Sequence, residues 1–146
     1  MSLLTYGTDL AQPAPNSLAE RRQDLARILI IDDNEIVRET VRRVVKVSGH
    51  SVETAPDGTA GLAKFAGEAF DLVICDLHMP GEGGAATIQA IRNRNPDIGI
   101  IAMSGSGTSD ALASATGLGA NLTLAKPFQN KELLAAISTA TAPPPR

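Results

Sequence analysis

Aromatic side chains are scarce in this chain: 146 residues include no tryptophan, one tyrosine and three phenylalanines. Ile, Leu, Val and Ala must therefore fill the interior, and at 43% apolar residues there are enough of them for one core of ordinary size. A single cysteine, Cys75, excludes a disulfide framework within the chain. It lies inside the apolar run Leu72 to Cys75 and reads as a buried structural thiol, not a redox centre. Long runs of Lys or Arg are missing too. With a net charge of -3 and a pI near 5.3, that argues against direct binding of nucleic acid. Arg38, Arg42 and Arg43 lie close together and read as a solvated helix face. No stretch approaches the roughly 20 apolar residues of a membrane span. Leu3-Leu4 has neither the charged nor the apolar region of a signal peptide. The expectation is a cytoplasmic protein with no membrane partner.

What is present is alternation. Residues 1 to about 17 carry Gly7, Pro13 and Pro15 without periodicity. Ser17 to Ala26 permits a short helix capped by Ser17 or Asn16. Arg27–Ile31, Ser51–Thr54, Leu72–Cys75, Ile98–Ala102 and Leu122–Ala125 read as strands. Between and after them, helical spacing recurs. Ile36 to Val45 form one stripe ended by Gly49, and Leu62 to Ala69 a second opened near Asp57-Gly58. Ala85, Ile88 and Ile91 mark a third, ended by Pro96; Asp110 to Leu118 is an Ala-rich fourth. Leu133, Leu134 and Ile137 carry the last, with Gln129 or Asn130 at its cap and Pro143-Pro144-Pro145 to stop it. Five βα units predict an α/β fold: a doubly wound parallel sheet with helices on both faces, flavodoxin-like, strand order 2-1-3-4-5.

Polar groups follow the apolar runs, where ligands gather in such sheets. Asp32 and Asp33 end the first strand and Asp76 ends the third, its neighbour at the switch point of that order. Three carboxylates in one crevice need a counter-charge, and Mg²⁺ is a natural one, since it takes a few carboxylates and completes its shell with water and phosphate. The plainer alternative is that Asp33 or Asn34 merely caps the following helix. A carboxylate such as Asp76 is also a competent nucleophile toward phosphorus. Ser104 follows the fourth strand and could donate to a phosphoryl oxygen. Lys126 ends the fifth and could pair with an aspartate or hold a phosphoryl oxygen. Pro127 makes a cis bond plausible, which would aim the lysine inward.

These pieces, in this order, resemble the receiver domain of two-component response regulators. The matching segments are Ile-Leu-Ile-Ile-Asp-Asp-Asn, Val-Ile-Cys-Asp-Leu-His-Met-Pro, Ala-Met-Ser-Gly and Leu-Ala-Lys-Pro-Phe, with Gly84 where the family has a glycine opening its third helix. The resemblance covers a receiver over 26–141; residues 1–25 read as a leader with at most a short helix, and 142–146 as a Pro-rich tail. It implies that Asp76 accepts a phosphoryl group from a histidine kinase or histidine phosphotransfer protein. Asp33, Asp76 and the backbone carbonyl of His78 would ligate Mg²⁺, with Asp32 acting through a bound water. Ser104 and Lys126 would bind the phosphoryl oxygens. Such a protein is no conventional enzyme beyond its own phosphorylation and dephosphorylation.

Three features qualify the match. The family's aromatic residue three places before the lysine is Thr123 here, so output is expected to move the Ser104–Ala113 segment and the fourth helix instead of a ring. His78 and Ser106 would flank the phosphoryl group; His78 would shield it or orient a water, or be a loop histidine with no effect. His50 reads as a helix-end residue. The expected function is a stand-alone receiver that switches a downstream protein partner, with a weak homodimer through the face of the fourth helix, fifth strand and fifth helix as one outcome. A phosphorylation-independent interaction module is the alternative. An aspartyl-phosphate hydrolase is disfavoured, because Asp76 is followed by Leu77 and His78 with no second acid two places on.

Overall fold

The structure, a computed structural model, describes residues 25–81, 83–105 and 109–142, without the side chains of 109–113. Five strands and five helices alternate: β1 (Arg27–Ile31), α1 (Glu35–Val47), β2 (Ser51–Ala55), α2 (Gly58–Gly67), β3 (Leu72–Asp76), α3 (Gly83–Arg94), β4 (Gly99–Ser104), α4 (Ser109–Leu118), β5 (Leu122–Ala125) and α5 (Asn130–Thr141). All pairings are parallel, and the order is β2-β1-β3-β4-β5, as expected. The expected helix over Ser17–Ala26 falls outside the described residues except at Leu25 and Ala26, which are not helical. The leader, Ser106 and the three terminal prolines also lie outside them.

Successive side chains of a strand point to opposite faces, so the inner strands feed two cores. Leu29, Ile31, Val73, Cys75, Ile100 and Ala102 belong to one, with Ile88 and Ile91 of α3 and Ala115 of α4. Ile28, Ile30, Leu72, Ile74, Ile101 and Met103 belong to the other, with Val41 and Val45 of α1 and Leu133 and Ile137 of α5. This explains why those strands read as unbroken apolar runs. The valines of α1 are mediocre helix formers, so that helix owes its stability to its buried stripe and to its cap, where Asn34 Oδ1 accepts from Val37 N at 3.1 Å. Asn34 is thus the cap, which leaves Asp33 free for other work. Gly49, at φ +101°, closes the turn into β2.

Two strands run further than their apolar runs. β3 includes Asp76, and β4 ends at Ser104, because the ladder continues: Asp76 pairs with Met103, and Leu77 N donates to Met103 O at 2.8 Å. At the opposite end of the sheet, Arg92 of α3 acts as a clasp. Its guanidinium donates to Gly119 O, to Asn121 Oδ1 and to the carbonyls of Asn95 and Pro96. Asn121 Oδ1 in turn accepts from Ile100 N. The Cys75 thiol is fully buried, and burial, then the charges of Asp76 and Asp32, push its pKa far up, as befits an inert core thiol.

Candidate functional site

The carboxyl ends of β1 and β3 bring Asp32, Asp33 and Asp76 together; one carboxylate oxygen from each lies within 4.8 Å of the others. Asp32 and Asp76 are buried, while Asp33 is exposed. Such burial is held by the strands behind the acids. Leu72, Val73 and Ile74 are fully buried, and each contributes about 1.5–3 kcal/mol. Together they can offset the several kcal/mol that burying a charged carboxylate costs.

Asp32 is fixed on three sides. Its Oδ1 accepts from Asn34 N at 2.9 Å, its Oδ2 accepts from Lys126 Nζ at 2.9 Å, and its carbonyl accepts from Arg38 at 2.8 Å. Lys126 follows β5 directly and is joined to Pro127 by a cis peptide bond, and its Nζ also stands 3.5 Å from Asp76 Oδ1. One ammonium among three carboxylates leaves the cluster short of positive charge. Asp76 registers this: burial, and then the Asp32 charge, raise its pKa above the ordinary range, against the pull of Lys126 and of the His78 N–H.

Ser104 is fully buried at the last position of β4. Its backbone carbonyl accepts from Lys126 N at 2.8 Å, which ties the β4 end to the lysine. His78, exposed on the loop after β3, closes the group: its backbone N donates to Asp76 Oδ1 at 3.3 Å, and its ring Nε2 lies 3.0 Å from Ser104 Oγ. Gly84 lets α3 start against this loop. A Cβ there would stand 1.9 Å from Asp76 O and 2.6 Å from Leu77 Cα.

The sequence-predicted residues Asp32, Asp33, Asp76, Ser104, Lys126 and His78 thus gather at one end of the sheet. Arg38 departs from its reading as part of a solvated face. Arg42 and Arg43 do pair with Glu39 on that face, but Arg38 is half-buried and reaches back to the Asp32 carbonyl. Its position four residues after the Asn34 cap, within the first turn, was the available signal. The His78 ring contact with Ser104 left no sequence signal. Thr123 pairs with Ala102 and lies between Leu122 and Leu124 of the opposite core, so its side chain faces the α4 side of the sheet.

Chemically, the arrangement offers a buried carboxylate beside a cation and a hydroxyl, with all-oxygen donors suited to a hard metal ion. The profile of the response regulator receiver domain matches residues 28–138. The chain is 35% identical over 109 residues to "Response regulator MprA" of Mycolicibacterium vanbaalenii, covering 75% of this chain and 47% of that protein. It is 34% identical over 109 residues to "Response regulator protein FleR" of Pseudomonas aeruginosa, covering 75% of this chain and 23% of that one. It spans less than half the length of either relative. Among solved structures, a CheY-like response regulator receiver domain protein of Methanospirillum hungatei superposes with a TM-score of 0.75 at 27% identity, covering 79% of this chain and 92% of the other. NtrX of Brucella abortus superposes with a TM-score of 0.78 at 29% identity, covering 80% and 27%.

Proposed function

The chain belongs to the response regulator receiver family of two-component systems, and on that premise we propose that it accepts a phosphoryl group on Asp76 and thereby switches the binding of a downstream protein. The donor is a histidine kinase or a histidine phosphotransfer protein. The observation that carries this reading is the placement of Lys126 Nζ, 2.9 Å from the buried Asp32 and 3.5 Å from the buried Asp76, beside an acid cluster that it only partly neutralises.

An oxygen of the Asp76 carboxylate attacks phosphorus, and the P–N bond of the donor phosphohistidine breaks with its electron pair returning to the imidazole nitrogen. Positioning and charge neutralisation dominate such transfers, so the chain supplies little covalent help of its own. Lys126 stabilises charge on the phosphoryl oxygens, and Ser104 donates to one of them. Asp32 orients Lys126 and is itself anchored by Asn34 N and Arg38. The unmet negative charge fits a divalent cation: Asp33, Asp76 and the His78 carbonyl would hold Mg²⁺ directly, and Asp32 through a water. When bound, Mg²⁺ supplies neutralisation of the phosphoryl oxygens. A downstream partner, or a second copy of the chain, would meet the α4–β5–α5 face.

The test is incubation with acetyl phosphate and Mg²⁺, followed by intact-mass measurement. One labile phosphoryl adduct is expected, absent from Asp76→Asn and from protein treated with a chelator. An adduct that persists in Asp76→Asn would overturn the assignment, and a wild-type protein with no adduct would favour the phosphorylation-independent module.

A further inference from the structure

The His78 imidazole and the Ser104 hydroxyl meet at 3.0 Å at the mouth of the site. The backbone is fixed on both sides of this contact. Ser104 lies in register with Ala125 and its carbonyl accepts from Lys126 N. His78 hangs from a loop whose Leu77 N bonds Met103 O and whose own N bonds Asp76 Oδ1. Ser104 can therefore redirect its hydroxyl only by turning about its side-chain bond. A serine hydroxyl has a single proton to donate.

We propose that His78 is a positioning residue that acts through Ser104: its Nε2 accepts the Ser104 proton in the unphosphorylated protein, and phosphorylation of Asp76 withdraws that proton and breaks this contact. This rests on the reading of Asp76 as phosphoacceptor. The imidazole is exposed on its loop, so water can replace this one contact at little cost. The hydroxyl is fully buried, and a phosphoryl oxygen takes the place of the imidazole as acceptor of its proton. Thr123, on the α4 side of the sheet, has no ring to move.

The hydrogen bond must be broken before the phosphoryl group is fully held, so His78 opposes the phosphorylated state. The experiment titrates beryllofluoride into the protein at saturating Mg²⁺ and follows the bound fluoride resonance. His78→Leu is expected to bind about three- to tenfold more tightly than the wild type, the range expected from the net worth of one neutral hydrogen bond. His78→Gln, whose amide oxygen can take the place of Nε2, is expected within about twofold of the wild type, and in a Ser104→Ala background His78→Leu is expected to change nothing beyond that margin. Unchanged or weaker binding by His78→Leu, or an equal gain with Ser104 removed, would overturn the proposal. A wild type that shows no Asp76-dependent resonance would instead overturn the phosphoacceptor reading beneath it.

Discussion

At Asp76, burial and the Asp32 charge outweigh Lys126 and hold the carboxyl above its ordinary range. The folded protein thus binds this proton more readily than the unfolded chain does. That contribution is complete below the unfolded carboxylate pKa and is lost as pH rises through the folded one. At neutral pH, without divalent ions, the ionised group is a liability. Asp76→Asn is expected to raise Tm at pH 7, and thermal melts should show the gain vanish near pH 3. His50 has the opposite sense. Its Nδ1 accepts from Ala26 N at 2.8 Å, and burial holds its pKa below the ordinary histidine value. Its stabilisation is full above the unfolded value, about 6.5, and fades as pH falls toward the folded one. His50→Asn keeps an acceptor but does not titrate, so its Tm should fall less between pH 7.5 and 5.5 than that of the wild type. Residues of this kind divide by how they announce themselves. Asp32, Asp76 and Lys126 were legible because each ends an apolar run. Arg38 and the His78 ring were not, because their contacts depend on where a long or swinging side chain lands after the backbone is fixed.

Among the elements, α3 packs directly on the backbone that carries Asp76, and Gly84 is what permits it. A methyl group 1.9 Å from the Asp76 carbonyl can be accommodated only by moving the helix or the strand end. Gly84→Ala is expected to destabilise the fold by about 1–3 kcal/mol, the usual cost of overpacking, measured by denaturant unfolding. Phosphoryl-adduct formation should slow as well, since Asp76 would be displaced. Element boundaries were largely legible, down to Gly49 after α1 and Gln129 before α5, because caps and turns are local chemistry. The strand ends were less so. Apolar patterning stops at Cys75 and Ala102–Met103, whereas hydrogen bonding carries β3 to Asp76 and β4 to Ser104. Polar residues in the last ladder position look like loop until the partner strand is known.

For the whole molecule, the strand order followed from alternation and handedness, and the site from that order, since only neighbours β1 and β3 can bring Asp33 and Asp76 together. Charge is the collective property left unbalanced there. A cation that binds only the folded state stabilises it by mass action, about 2.7 kcal/mol at a hundredfold excess over Kd. Adding Mg²⁺ is therefore expected to raise Tm by several degrees, with reversal by a chelator and little effect on Asp33→Ala. The Arg92 clasp has a mechanical sequel. It pins α4 just past its final turn, through Gly119 and Asn121, on the side of the sheet away from the acids. The 10 residues of α4 make a rod about 15 Å long whose other end follows the segment after Ser104 in the chain. A rod hinged at one end cannot slide. A pull of about 1 Å at the other end would tilt it by about 4°, so that a displacement of the backbone there would be read out as an angle.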